Sequence, residues 1–287
     1  MKRADPWGAL AGLTAARIAL GRVGASLPTE AVLRFDVAHA LARDAVHTPL
    51  DLAALADRWQ EMQGEAAVIV HSRAGDRHTY LQRPDLGRQL DEGSATHLAA
   101  LAATEPDLAI VVADGLSATG VAAHALDLLN ELLPRLRGLR RAPLVLAGQG
   151  RVALGDEIGA RLKARLVLVL LGERPGLSSP DSLGAYLTFA PRAGRLDAER
   201  NCVSNIRPAG LPLPLAAARL AWLIDAALTR QLTGVGLKDD SDAMWIAGNQ
   251  TPVRPEPVEG LCAKGFDGPV LSRVEGLSPN GDGAVET

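Results

Sequence analysis

Cysteine is nearly missing from this chain. Cys202 and Cys262 are the only two in 287 residues, too few and too far apart for a disulfide framework or a zinc site. A reducing compartment follows as the default. Aromatic residues make up 3% of the sequence and hydrophobic residues 47%, so the core has to be aliphatic. No apolar run approaches the roughly 20 residues needed to cross a bilayer, which excludes a membrane-spanning helix. The start, Met1-Lys2-Arg3-Ala4-Asp5, lacks the uninterrupted apolar stretch of a signal peptide. The net charge of −3 argues against a general nucleic-acid binder. Arginine greatly outnumbers lysine, for which a GC-rich genome is the plainer explanation. The six histidines show no metal-ligand spacing. The expectation is a soluble cytoplasmic protein that touches neither nucleic acid nor membrane.

What is present falls into three regions. Residues 1–64 read as helical. One helix is expected over residues 6–20, stopped by Gly21 and Gly24. A second runs from Pro28 to about Val46 with Thr29 as its cap, and a third from about Asp51 to Gln63. Residues 65–238 alternate between short apolar runs and helical patterns. The runs are 66–70, 108–113, 143–148 and 166–171, with a further strand over 185–189. The helical patterns are 95–103, 117–137 and 154–165, and a closing helix over 215–232. Such alternation predicts an α/β fold with a mainly parallel, Rossmann-like sheet flanked by helices. The character shifts again over residues 239–287: residues 251–287 are rich in Pro, Gly and Glu, and Pro257-Val258-Glu259-Gly260-Leu261 nearly repeats at Arg273-Val274-Glu275-Gly276-Leu277. That composition predicts a disordered tail.

Ligands of open α/β sheets sit outside the carboxyl ends of the strands, so the strand-end loops are the places to search. Asp114-Gly115-Leu116-Ser117 follows one apolar run. It suits an anion or a hydroxyl, or else it is a plain turn in which Ser117 caps the next helix. It is not a G-x-G-x-x-G loop, and the Walker lysine is missing. Gly148-Gln149-Gly150-Arg151-Val152 lets a ligand approach the backbone. Gly172-Glu173-Arg174-Pro175-Gly176 sets a carboxylate beside a guanidinium on a broken backbone, where an ordinary surface ion pair is the alternative. Asn201-Cys202-Val203-Ser204-Asn205 is dense in small polar groups. Cys202 lacks any histidine later in the sequence, which favours packing over nucleophilic work. No acid–base pair or other self-sufficient catalytic set emerges, and the loops read as a binding face.

Some of these segments are long enough to carry a resemblance. Gly172-Glu-Arg-Pro-Gly-Leu-Ser-Ser-Pro-Asp-Ser-Leu-Gly-Ala-Tyr-Leu-Thr-Phe-Ala-Pro191 resembles the signature of the ethanolamine ammonia-lyase small subunit. So do Arg200-Asn201-Cys202-Val203-Ser204-Asn205-Ile206 with Gly210-Leu211-Pro212, Ala16 to Gly24, and Phe35 to Val46. The resemblance spans residues 5–237. It implies a light chain that works with a large barrel-shaped subunit in a heteromer holding several copies of each. Adenosylcobalamin lies between the two, and ethanolamine is converted to acetaldehyde and ammonia by a radical elimination. The positions matching the family's cobalamin contacts are Val152, Glu173 and Cys202, with catalytic residues expected on the large subunit. The pattern D-x-H-x-x-G, which donates a histidine to cobalt, is absent, because Leu116 stands where the histidine would be. A base-on cofactor is therefore expected. Some relatives carry a preceding extension that addresses them to a bacterial microcompartment. Little precedes the first matched segment here, which favours free cytoplasm and leaves the microcompartment as the other location. Two other functions fit the residues: a stand-alone α/β enzyme that binds a nucleotide or cofactor, and a non-catalytic assembly subunit.

Overall fold

Aliphatic runs without a charge are the strands of this molecule that are buried on both faces. The computed structural model describes residues 5, 7–14, 16–101 and 105–241. Its sheet contains β1 (Val68–His71), β2 (Leu108–Ala113), β3 (Val145–Gly148), β4 (Leu166–Gly172), β5 (Leu183–Phe189) and β6 (Asn201–Ile206). Every residue of β2, β3 and β4 is buried. The strand order is β1-β3-β2-β4-β5-β6. β1, β3, β2 and β4 pair in parallel, and β5 and β6 join antiparallel.

The sheet is thus mixed, and the expectation of a mainly parallel sheet describes only its first four strands. β4 runs straight into β5 through the loop after Gly172, and such a return is antiparallel. β1 lies at the edge beyond β3, so the order also departs from a regular doubly wound sheet. β6 was not expected. Its sequence is polar because one side faces out: Val203 and Ile206 are buried while Cys202, Ser204 and Asn205 are exposed.

Helices α1 (Thr29–His47), α2 (Leu52–Gln63), α3 (Arg77–Gln82), α4 (Glu92–Leu101), α5 (Ala118–Leu132), α6 (Leu154–Arg161) and α7 (Leu213–Arg230) complete the fold. One face of the sheet packs on α2, α5 and α7 through residues such as Trp59, Leu129 and Leu220. The other packs on α4 and α6 through Leu98, Leu154 and Ile158. Gly155 and Gly159 let α6 lie directly on β4, since a Cβ on Gly155 would meet the Val169 side chain at 2.1 Å.

The N-terminal region differs from its expectation. The described residues of the stretch 6–20 do not form one helix. Gly8–Leu13 is a 3-10 turn with no buried residue, and Ala19 adopts a left-handed φ of 55°. Gly8 and Gly12 weaken the helix there, and no packed face compensates. α1 forms as expected, but Pro28 precedes it as the capping residue and Thr29 is already helical. α1 buries Ala45 alone, and Leu33, Phe35, Val37 and Leu41 are exposed. Asp51 caps α2 by accepting the Ala54 N–H at 2.9 Å. The expected disordered tail lies, from residue 242 onward, outside the described residues.

Candidate functional site

The carboxyl ends of β2, β3 and β4 are tied together before any ligand is considered. Asp114, at the end of β2, is 2% exposed. Its carboxylate accepts the Gln149 N–H at 3.0 Å and the Gly150 N–H at 2.9 Å. Arg77 on α3 lies 3.5 Å from the same carboxylate and donates to the Gly115 and Val46 carbonyls, each at 2.7 Å. Burial pushes the Asp114 carboxyl above its ordinary range, while the Gly150 N–H and Arg77 pull it back. Its acceptors are already used within the fold, so Asp114 holds the β3 loop rather than an incoming anion. Ser117 accepts the Gly120 N–H and donates to the Pro180 carbonyl at 2.7 Å. The helix-capping alternative is the one the geometry supports.

The β2 and β4 loops cross at two glycines. Leu116 N–H donates to the Gly172 carbonyl at 2.9 Å. A Cβ on Gly115, whose φ is +58°, would lie 2.3 Å from that carbonyl oxygen. A Cβ on Gly172 would lie 2.0 Å from the Ser117 carbonyl oxygen. This contact sets where Glu173 leaves the strand.

Glu173 is half-buried and makes no ion pair with Arg174. Its Oε2 accepts the Asn205 N–H at 3.0 Å and a short hydrogen bond from the Ser182 hydroxyl. Oε1 lies over Gly184, where a Cβ would sit 2.9 Å away. The carboxylate therefore has a fixed position and one oxygen not engaged by those donors. Beside it stands Tyr186 on β5, which pairs in register with Cys202 on β6. Burial pushes the Tyr186 hydroxyl far above its ordinary range, and Cys202 and Glu173 add to the rise. The Tyr186 hydroxyl meets the Cys202 thiol. Cys202 is exposed as a residue, but the groups packed around its thiol partly desolvate it and raise it above its usual range, while Tyr186 pulls it down and the Glu173 charge raises it again. A thiol held protonated at neutral pH is a poor nucleophile. Cys202→Ser is accordingly expected to change turnover by less than about threefold, since one small hydrogen-bonding group replaces another. Steady-state rates check this, and complete loss of turnover in an intact protein would reinstate a nucleophilic role.

An open cleft of about 1010 Å³ lies along this face. Val152 and Glu173 both line it, with Leu116, Leu171 and Tyr186. Cys202 is not among its lining residues and adjoins it through Tyr186 and Glu173. Val152 also packs on the core beside α6. Two candidate residues thus share one cleft and the third stands next to it, although 21 residues or more separate each from the next in sequence. Sequence reading missed Arg77, Tyr80, Arg151 and Tyr186. They act across elements, through contacts that no local spacing encodes; the only signal was the scarcity of tyrosine.

The lining suits a large ligand with amide groups. Glu173 offers an acceptor to amide N–H donors, the arginines offer donors to carbonyl oxygens, and Val152, Leu116 and Leu171 offer apolar contact. No histidine lines the cleft. Among the described residues no cluster of three or more His, Cys, Asp or Glu could hold a metal, and no helix is long and apolar enough to cross a membrane.

Residues 4–238 match the family described as ethanolamine ammonia-lyase light chain (EutC). Among curated relatives, the chain is 53% identical to the ethanolamine ammonia-lyase small subunit of Pseudomonas aeruginosa (strain UCBPP-PA14), over 85% of this chain and 91% of the relative. It is 55% identical to the one of Azotobacter vinelandii, over 85% and 92%. It is 54% identical to the one of Xanthomonas campestris pv. campestris, over 88% and 94%.

Proposed function

The chain belongs to the ethanolamine ammonia-lyase light-chain family, and from that premise we propose that its cleft covers the adenosylcobalamin of a lyase whose catalytic residues lie on a large subunit. The observation that carries this reading is the convergence of Val152 and Glu173 on one cleft, with Cys202 beside it. When bound, adenosylcobalamin supplies the radical chemistry that turns ethanolamine into acetaldehyde and ammonia. This chain's residues then hold and shield. Glu173, fixed by Ser182 and Asn205, accepts from amide groups at the cofactor's edge. Val152 and Leu171 give an apolar wall that excludes water. No histidine is among the cleft residues, so a cobalamin held there would keep its own base, the base-on form.

Two features support a partner. The cleft is open to solvent, and α1 presents Leu33, Phe35, Val37 and Leu41 to solvent. An apolar surface of this kind marks an interaction site. A heteromer in the cytoplasm, with several copies of each subunit, is the assembly proposed. Residues 1–64 would serve contact between subunits, and residues 65–238 would cover the cofactor.

The test is co-production with a large subunit, followed by an acetaldehyde assay with ethanolamine and adenosylcobalamin. Activity is expected only when both chains and the cofactor are present. Glu173→Ala is expected to weaken cobalamin retention by about tenfold, the loss of one hydrogen bond to a charged acceptor. Equilibrium dialysis of the complex reads this directly, and unchanged retention would remove Glu173 from the site.

A further inference from the structure

The cleft carries more positive charge than its own carboxylates neutralise. Arg195 is bound to Glu199 and to the Phe189 and Ala190 carbonyls. Arg200 is bound to Asp156 and lies 3.5 Å from the cleft carboxylate Asp197, and Glu157 is bound to Arg161. Arg88, Arg151 and Arg174 line the same cleft, and among the described residues none of these three has a carboxylate within ion-pair distance. Glu173, whose hydrogen bonds come from neutral groups, is the facing charge. Three guanidinium groups against one such carboxylate leave a positive excess in a cleft with apolar walls.

Arg151 is the best defined of the three. Its guanidinium stacks over the Tyr80 ring at 4.2 Å and donates to the Tyr80 carbonyl at 3.3 Å. Tyr80 is fully buried, and its hydroxyl donates to the Gly150 carbonyl at 3.0 Å. The Arg151 Nε is shut off from solvent and has no acceptor. A guanidinium held by stacking with one N–H unsatisfied is unusual, and a small movement toward an anion would satisfy it. Arg151 N–H also donates to the Gly87 carbonyl at 2.8 Å, which places Arg88 next to it in the chain that borders the cleft. Arg174 follows Glu173 on the β4 loop.

Paired guanidinium forks match phosphate oxygens better than any other common anion. We infer that Arg88, Arg151 and Arg174 hold the phosphodiester of the cobalamin nucleotide tail. The inference rests on the cobalamin reading above and adds to it a polar anchor distinct from the Glu173 contact.

The experiment uses the complex of this chain with its large subunit, in wild-type, Arg88→Gln, Arg174→Gln and doubly substituted forms. Arg88 and Arg174 are both exposed, so their replacement spares the packing around Tyr80. Each complex is titrated by absorbance with hydroxocobalamin and with cobinamide, which lacks the nucleotide and its phosphodiester. Each single variant is expected to lose about tenfold in cobalamin affinity, the worth of one charge-assisted hydrogen bond, with cobinamide affinity changed less than about twofold. Inorganic phosphate should compete with cobalamin in the wild type and less in the double variant. Equal losses for the two corrinoids, or none for either, would overturn the phosphodiester assignment while leaving the covering role intact. A wild-type complex that binds cobalamin no better than the large subunit alone would overturn both.

Discussion

Replacing Arg200 with alanine is expected to lower the unfolding free energy by about 3–5 kcal/mol, the cost of leaving a buried charge without its partner. The Arg200 and Asp156 side chains are 3% and 1% exposed, with 2.5 Å between Nη1 and Oδ1. Arg200 also donates to Thr188 at 3.1 Å and to the Arg195 carbonyl at 2.8 Å. It joins β6 to β5 and to α6. Without it, the Asp156 charge loses its paired counterion and keeps only the weaker pull of Arg195.

The deficit should also depend on pH, and its sign follows from Asp156. Burial already pushes that carboxyl above its ordinary value, against the pull of Arg200; the variant loses the opposing pull. A group whose folded value exceeds its unfolded value stabilises the fold while protonated. That contribution fades as pH rises through the folded value. The variant should therefore come closest to the wild type in mild acid and fall further behind toward neutral pH. Thermal melts at several pH values read this. The double replacement Arg200→Met with Asp156→Leu should recover much of the loss, because the stranded charge is gone. A pH-independent deficit below about 1 kcal/mol would mean that the pair is solvated.

The second large effect is expected at Gly172. An added Cβ would lie 2.0 Å from the Ser117 carbonyl oxygen and 2.6 Å from that of Asp114. Both are backbone atoms, so no rotamer relieves the clash. Overpacking typically costs 1–3 kcal/mol, and Gly172→Ala should sit at about the top of that range or above it. Relief requires the β2 and β4 loops to part, which carries Glu173 away from Ser182 and Asn205. Lower melting temperature and lost cobalamin retention should thus appear together. Gly75→Ala is the control, because nothing lies within 4 Å of its added Cβ and a surface change of this kind stays within about 0.5 kcal/mol. Equal melting temperatures for the two variants would show that the crossing is slack.

The strands of the parallel half were legible because burial on both faces leaves no polar interruption: Leu166 to Leu171 could be read directly. β6 was hidden by the same logic reversed, since a strand with one exposed side spells Asn-Cys-Val-Ser-Asn. Strand order was not legible, because it depends on pairing between segments distant in sequence. The site divides in the same way. Val152, Glu173 and Cys202 are proposed from resemblance and loop position. That Asp114 is spent on Gln149 and Gly150, and that Tyr186 stands beside Cys202 and Glu173, required coordinates. The stretch 6–20 misled because its Ala and Leu content suggests a helix, while the Gly8–Leu13 turn found there buries none of its residues.

α1 carries a consequence of its own. Nineteen residues form this helix, and Ala45 is the one it buries. Little of the sheet's stability therefore depends on it, and it can fray while the rest stays intact. Its amide protons should exchange with deuterium far sooner than those of α5. α1 also precedes every strand in sequence, so a ribosome delivers its leucines and Phe35 before the sheet exists. For such a segment chaperone capture and timely encounter with another chain compete, and in the proposed heteromer the relative rate at which its two chains are synthesised would become part of what keeps this one in solution.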